Sequence, residues 1–238
     1  MESALARVLE HLDHADCVVV VVSAMGRFPM SYATDTLASL GSHLSPKDKD
    51  RLMSMGEVIS SLTFLNLCKS HQLNACALSI EQTGILCDDH YQKGHVFTVC
   101  NRQIVQALKD YEVVIVPGFT GISLTGNTVT LGRGGSDYSA FLIADALNVH
   151  FVSIYTDVNG VYDKDPKVYP DASIYETLSV YELLSLIDQG AKVMQKESVL
   201  YALKKKICFE VRSAFNGQKG TLIELEGKPS SVLQQKDN

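Results

Sequence analysis

The sequence predicts an α/β fold in which a mainly parallel sheet carries helices on both faces. Short, uninterrupted apolar runs at residues 18–22 and 113–116 are typical of strands buried on both faces, as in parallel sheets. Glycine and proline end both runs, in SAMGRFP and in Pro117-Gly118. These runs alternate with segments whose apolar residues recur at helical spacing, which indicates strands connected by helices.

The individual elements follow from these two patterns in chain order. Leu5, Val8, Leu9 and Leu12 recur at i, i+3, i+4 and i+7, which predicts a first helix before the strand at residues 18–22. The later predicted elements are a helix over residues 47–71, strands over 75–80 and 113–116, a helix over 137–147, a strand over 149–155, helices over 180–187 and 197–204, and strands over 207–211 and 221–225. One domain is therefore expected over residues 1–226, followed by a polar tail over residues 227–238.

Composition excludes several functional classes. The chain has 238 residues, 46% of them hydrophobic, and a formal net charge of -6 without a basic run, so nucleic acid and anionic membranes are not expected partners. The six cysteines form no CxxC pair and match no zinc module, which is typical of reduced thiols in the cytoplasm. The sequence shows neither a signal peptide nor a membrane-spanning run, so we expect a cytoplasmic protein.

A glycine-rich stretch at residues 118–137, GFTGISLTGNTVTLGRGGSD, is the most informative part of the sequence. Its second turn runs into a helix, where glycines allow close approach of a ligand and backbone N–H groups favour an anion. Arg133 can hold a carboxylate with two parallel hydrogen bonds. A tight turn with Ser136 or Asp137 as helix N-cap explains the same residues, and local chemistry leaves both interpretations open. The stretch is neither GxGxxG nor a P-loop.

A second polar stretch, YTDVNGVYDKDPK at residues 155–167, follows a predicted buried strand. Ligands of doubly wound sheets bind at the carboxyl ends of strands, so this position favours a binding role. The stretch lacks the spacing of an EF-hand, and we therefore do not expect calcium here.

These two stretches and several shorter motifs, in their order along the chain, resemble the motifs of aspartate kinases in the amino-acid kinase superfamily. The resemblance rests on VVVVVSAMGR, YATDTL, the Gly56-Glu57 pair, TLGRGGSDYSA, YTDVNGVYDKDP, GAKV at residues 190–193 and VRSAFNGQKGTLI. It implies a three-layer αβα sandwich with a mainly parallel sheet, which agrees with the elements predicted above. It also implies an ATP- and Mg²⁺-dependent kinase that converts L-aspartate to 4-phospho-L-aspartate, the first step toward lysine, threonine and methionine.

The resemblance implies roles for particular residues. Arg133 would pair with the substrate α-carboxylate, Glu57 would meet the substrate amino group, and Asp137 would organise cationic groups near the reacting phosphate, so that Arg133 and Asp137 are the expected catalytic residues. The remaining residues expected to line the substrate pocket are Thr34, Phe119, Gly135 and Ser136. The residues expected to bind the nucleotide are Ser23, Thr156, Asp157, Tyr162, Lys167, Lys192 and Val193. No metal ligand is assigned.

The sequence departs from the aspartate kinase pattern at both ends. The family's opening strand and glycine loop, of the form KFGGTSV, has no counterpart, so we expect an N-terminally truncated fold that lacks a phosphate-binding lysine. We likewise expect the chain to lack the paired regulatory ACT domains that usually follow the kinase domain. We favour a shortened form of a full enzyme. A non-catalytic or partner-dependent subunit that binds aspartate or nucleotide is the alternative, and a kinase for another acidic substrate is a third possibility. A homodimer, or pairing with a full-length relative, is also expected.

Overall fold

The computed structural model of the protein describes residues 1–226 and 231–232. The chain divides into two compact units, Met1–Leu147 and Asn148–Asn238. In the part of the chain that is described, no helix combines the length and the apolar character needed to cross a bilayer.

The first unit contains both helices and strands, and its longest element is a central helix. Its helices are α1 (Glu2–Leu12), α2 (Thr34–Leu40), α3 (Pro46–Ser70), α4 (Arg102–Ala107) and α5 (Gly135–Ala146). Its strands are β1 (Val18–Val22), β2 (Ala75–Ala77), β3 (Ile85–Cys87), β4 (Val96–Val99), β5 (Val113–Pro117), β6 (Thr120–Ser123) and β7 (Thr128–Thr130). A short 3₁₀ helix, Glu81–Thr83, lies between β2 and β3.

The strands of the first unit form two sheets. A three-stranded parallel sheet has the order β1-β5-β2, and every residue of its central strand β5 is buried. A four-stranded mixed sheet has the order β4-β3-β6-β7, with β3 and β6 parallel and the outer pairs antiparallel. Because β6 follows β5 directly in the chain, the end of β5 connects the parallel sheet to the four-stranded sheet. Strands β6 and β7 of that second sheet belong to the glycine-rich stretch.

Helix α3 begins and packs as its sequence dictates. The Ser45 side chain accepts a hydrogen bond from the Asp48 N–H at 3.2 Å, and Pro46 occupies the first helical turn. The helix therefore starts with an N-cap and with a residue that has no N–H group in need of an acceptor. Phe64 and Cys68 lie four residues apart and share one face. That face packs with Leu5 of α1 against Val113 and other buried residues in one hydrophobic core cluster.

The second unit is built around a five-stranded sheet with the order β12-β9-β11-β10-β8. Its strands are β8 (Phe151–Thr156), β9 (Tyr175–Ser179), β10 (Cys208–Ser213), β11 (Thr221–Glu224) and β12 (Ser231–Val232), and its helices are α6 (Val180–Asp188) and α7 (Lys196–Lys205). Strands β8 and β10 are parallel, and so are β9 and β11. Ser179 and Glu182 form a capping box that fixes the start of α6.

Most of the predicted elements are confirmed, with boundaries shifted by one or two residues. The predicted burial of the strand at residues 18–22 is wrong, because β1 is an edge strand of its sheet and all five of its valines are only partly buried. The predicted strand at residues 75–80 is too long, since β2 ends at Ala77 and the backbone is already helical at Ile80. The predicted buried strand at residues 149–155 is β8, another edge strand, and it is only half-buried. Of the predicted tail, residues 231–232 form β12, and the rest lies outside the described residues.

Candidate active site

The glycine loop at residues 132–137 forms the entry to α5. Gly132 and Gly134 adopt positive φ values of 82° and 74°, and the Gly135 N–H donates to the Gly132 carbonyl at 3.0 Å. Only glycine reaches this left-handed region without a steric cost, which explains the glycine repeat. Gly134 is the N-cap residue, and no side chain caps the helix. The interpretation of Ser136 or Asp137 as the N-cap is therefore wrong, because both lie inside the first turn of α5, whose uncapped start suits an anion.

The ends of β1 and β5 meet the start of α5 at Gly118. The Gly118 N–H donates to the Val22 carbonyl at 2.9 Å, and a Cβ atom on Gly118 would lie 3.1 Å from the Cα atom of Ser136. Any side chain at Gly118 would therefore force the strand and the helix apart. The glycine loop is thus placed at the carboxyl ends of two parallel strands, which is where α/β folds bind ligands.

Phe119 is held in a strained conformation beside this loop. Its φ of 65° is unusual for an aromatic residue, its N–H donates to Ser139 Oγ at 3.1 Å and its carbonyl accepts from the Leu131 N–H at 2.8 Å. A Cβ atom on Gly135 would lie 2.9 Å from Phe119 Cδ2, so the ring packs directly on the first residue of α5. Phe119 thus lies beside Gly135 and Ser136 at the start of α5, and their role in a substrate pocket stays a prediction.

Glu57 is a buried carboxylate that is only half satisfied. It is 1% exposed, and its Oε1 accepts a hydrogen bond from the Ala24 N–H at 3.0 Å. Its Oε2 is buried and has no hydrogen-bond partner among the described residues. Burial raises the pKa of this carboxyl from 4.5 to about 7. A buried acceptor without a donor costs about 1–3 kcal/mol, so the site is prepared for a ligand that donates hydrogen bonds.

Gly56 allows Glu57 to reach this position. A Cβ atom on Gly56 would lie 2.7 Å from Ala24 Cβ and 2.9 Å from the Tyr32 carbonyl oxygen, so α3 can approach the segment after β1 only with glycine here. Two other predicted residues belong to that segment. Ser23 is exposed and precedes Ala24, while Thr34 is half-buried and begins α2.

The two predicted catalytic residues of the glycine loop have different environments. Arg133 is exposed, so its guanidinium is accessible to a ligand. Asp137 is half-buried in the first turn of α5, and burial raises the pKa of its carboxyl to about 6. A nearby cation would favour the ionised form of this carboxyl, so its environment is suited to a cationic group that arrives with a ligand.

Sequence reasoning did not identify Asp50, a fully buried residue of α3. Its carboxylate accepts hydrogen bonds from the Gln92 N–H at 2.8 Å, the Thr130 N–H at 2.8 Å and Thr130 Oγ1 at 3.1 Å. Burial raises the pKa of Asp50 and these hydrogen bonds oppose the change. Asp50 thereby fixes the end of β7, two residues before the glycine loop. In the sequence it lies in the charged run KDKDR, which is typical of a solvated helix face, so no signal marked it.

The second unit carries the predicted nucleotide residues at the end of β8. Thr156 pairs with Ser213 of the parallel strand β10, and its carbonyl accepts from the Ala214 N–H at 2.9 Å. Thr156 Oγ1 donates to Asp157 Oδ1 at 3.2 Å, so the hydroxyl and an exposed carboxylate lie together at this edge. In the turn NGQKG, the Asn216 side chain donates to Asn159 Oδ1 at 2.7 Å, which connects this turn to the loop after β8.

The remaining predicted nucleotide residues lie in two other loops of this unit. Tyr162 forms an isolated antiparallel bridge with Ile174. Lys167 is exposed and its N–H donates to Asp165 Oδ1 at 2.9 Å. Lys192 is exposed and Val193 is half-buried in the connection between α6 and α7. Their assignment to a nucleotide stays a prediction.

Comparison with known proteins agrees with this fold. The profile described as the amino acid kinase family matches residues 2–212. The chain is 37% identical to aspartokinase 1 of Bacillus subtilis over 224 residues, which cover 92% of this chain and 55% of that protein. The crystal structure of aspartokinase III of Escherichia coli in complex with aspartate and ADP has a TM-score of 0.74 at 27% identity, over 95% of this chain and 47% of that chain.

The aspartate kinase of Synechocystis has a TM-score of 0.79 at 31% identity, over 94% of this chain and 37% of that one. The chain spans about half the length of the curated relatives it matches. These matches confirm the predicted αβα fold class and the resemblance on which it rested. Because the family profile covers most of its length, this chain belongs to the amino acid kinase family.

Proposed function

We propose that this chain provides the catalytic domain of an enzyme that transfers phosphate from ATP to the side-chain carboxylate of L-aspartate. The product would be 4-phospho-L-aspartate, the first intermediate toward lysine, threonine and methionine. The observation that carries the proposal is the buried Oε2 of Glu57, which has no hydrogen-bond partner in the described part of the chain, in a unit that also presents the glycine loop with Arg133. The similarity to a structure that holds aspartate and ADP supports the same assignment.

Glu57 and Arg133 would each recognise one charged group of an amino-acid substrate. An ammonium group that reaches Glu57 would supply the missing donor, and it would favour the ionised carboxylate whose pKa burial has raised. The guanidinium of Arg133 matches a carboxylate in bidentate geometry, which assigns it to the α-carboxylate. Phe119, Gly135, Ser136 and Thr34 complete the pocket and position the second carboxylate of the substrate.

The transfer step needs alignment more than acid–base chemistry. A carboxylate is already ionised near neutral pH, so its oxygen attacks the γ-phosphorus without a general base. The bond from that phosphorus to the bridging oxygen of ADP breaks as the acyl phosphate forms. Catalysis then depends on holding two anions in line and on neutralising the transferred group. The uncapped N–H groups at the start of α5 and the hydroxyl of Ser23 are suited to these anions.

The proposed reaction implies Mg²⁺, which neutralises phosphate charge when it is bound with the nucleotide. The carboxyl of Asp137 fits this group, since burial alone raises its pKa to about 6 and a cation would reverse that effect. In the second unit, ATP would bind to Thr156, Asp157, Tyr162, Lys167, Lys192 and Val193.

The experiment is an assay of folded protein with ATP, Mg²⁺ and L-aspartate, with hydroxylamine to trap the acyl phosphate. We expect equal amounts of ADP and aspartyl hydroxamate. Arg133→Lys, which keeps the charge and loses the fork, should reduce product formation, whereas Arg102→Lys, at an exposed position on α4, should not. A folded sample that forms no hydroxamate would refute the proposal for this chain. Aspartate binding without turnover would instead support the non-catalytic subunit.

A further inference from the structure

We propose that the loop between β3 and β4, residues 88–95, binds one divalent transition-metal ion of the Zn²⁺ class through Asp88, His90 and His95. Each of these residues offers one ligand atom, and the three atoms lie within 4.8 Å of one another. Two imidazoles and a carboxylate are the donor set that Zn²⁺, Co²⁺, Ni²⁺ and Cu²⁺ prefer, whereas Mg²⁺ and Ca²⁺ prefer oxygen donors alone.

The backbone of the loop holds Asp88 in place. Its Oδ1 accepts hydrogen bonds from the His90 N–H at 3.1 Å and from the His95 N–H at 3.0 Å. Its Oδ2 lies 2.9 Å from His95 Nδ1. One carboxylate oxygen therefore holds the backbone of the loop, and the other lies beside His95 Nδ1, so an ion could bind these two atoms without a new backbone conformation.

The second histidine distinguishes this cluster from an ordinary surface pair. The rings of His90 and His95 are in contact, with centroids 5.4 Å apart and planes at 78°. An exposed histidine–carboxylate pair alone contributes only about 0–1 kcal/mol and needs no ligand to explain it. Three converging donors with both histidines exposed give an ion access to the site, and they leave a fourth position of a tetrahedral ion for water.

The loop is fastened to the rest of the first unit at two points behind these ligands. The Gln92 N–H donates to the buried Asp50 carboxylate at 2.8 Å, and the Gly94 N–H donates to the Thr130 carbonyl at 2.9 Å. These anchors keep the three donors converged in the metal-free protein, which lowers the conformational cost of binding.

The test is a titration of tag-free, chelator-treated protein with Co²⁺, followed by displacement with Zn²⁺, monitored by visible absorption and calorimetry. We expect one ion per chain and no thiolate charge-transfer band. His90→Ala and His95→Ala should each raise the dissociation constant at least about tenfold. His43→Ala, which removes an exposed histidine outside the loop, should leave it unchanged.

His95→Gln preserves a side-chain donor for Asp88 and provides a variant that keeps the metal-free loop intact. It should show the metal-free melting temperature of the original protein and the same loss of Co²⁺ affinity. The proposal is overturned by the absence of saturable Co²⁺ and Zn²⁺ binding, or by binding that survives in the His90→Ala/His95→Ala double variant. Neither result depends on catalytic activity.

Discussion

Glu57→Gln tests both the free-energy cost of burying an ionised carboxylate at this position and the role of that carboxylate in aspartate binding. Glu57 is 1% exposed and one of its oxygens has no hydrogen-bond partner among the described residues, so the folded protein holds this carboxylate ionised only at a cost. Glutamine keeps the shape of the side chain and an oxygen that can accept from the Ala24 N–H, but it never ionises. We therefore expect it to remove aspartate binding and to change how stability depends on pH.

The magnitude follows from the shift in pKa. Burial raises the pKa of Glu57 from 4.5 to about 7, so between these values the folded state binds more protons than the unfolded state. The free energy of unfolding must therefore fall as the pH rises through this window. A single group with these two pKa values contributes a loss of about 2.5 kcal/mol between about pH 5 and about pH 8.

Urea denaturation of both proteins over this pH range measures the effect. The free energy of unfolding of the original protein should fall by about 2.5 kcal/mol more than that of Glu57→Gln. Asp137, whose pKa is raised in the same direction, is present in both proteins and cancels in the difference. Any constant cost of burying the glutamine amide also cancels. Identical pH dependence in the two proteins would refute the account of Glu57.

Three further substitutions test the rest of the site. Arg133→Lys should raise KM for aspartate about tenfold or more without lowering the melting temperature, because the loss is in bidentate binding and not in packing. Asp50→Ala should lower the free energy of unfolding by about 2–4 kcal/mol in urea titrations, since it removes the acceptor of three hydrogen bonds. Gly56→Ala should cost about 1–3 kcal/mol because its Cβ would lie 2.7 Å from Ala24 Cβ.

The fold was predictable where the signal is local. The spacing of apolar residues located α3, and the run at β5 correctly indicated a strand that is buried throughout. The similar run at β1 led to a wrong prediction of full burial. A row of valines is compatible with a buried strand, but it does not show which neighbouring elements cover the strand. The sequence did not predict several short elements, since they offer too few positions for a clear alternation or helical repeat; these are the strands β3, β4, β6, β9 and β12 and the helices α2 and α4.

The parts of the candidate site that could be predicted from the sequence are those in which a glycine or a charged residue has a specific structural or chemical role. The glycine loop and the Gly56-Glu57 pair were identified, and the structure explains the glycines of both motifs by close contacts or by positive φ. Asp50 could not be identified, because its burial and its three hydrogen bonds depend on residues about 40 and 80 positions away. The cluster in the β3–β4 loop was missed for a related reason, since only the turn of the hairpin brings its two histidines together.

The central claim is that Glu57 recognises the amino group of an amino acid, and calorimetry with two ligands tests it most directly. L-aspartate and succinate share two carboxylates at similar spacing and differ in the ammonium group. At about pH 8, where Glu57 is mostly ionised, L-aspartate should bind at least about tenfold more tightly than succinate, and Glu57→Gln should abolish the difference. Equal affinity for the two ligands would contradict the claim.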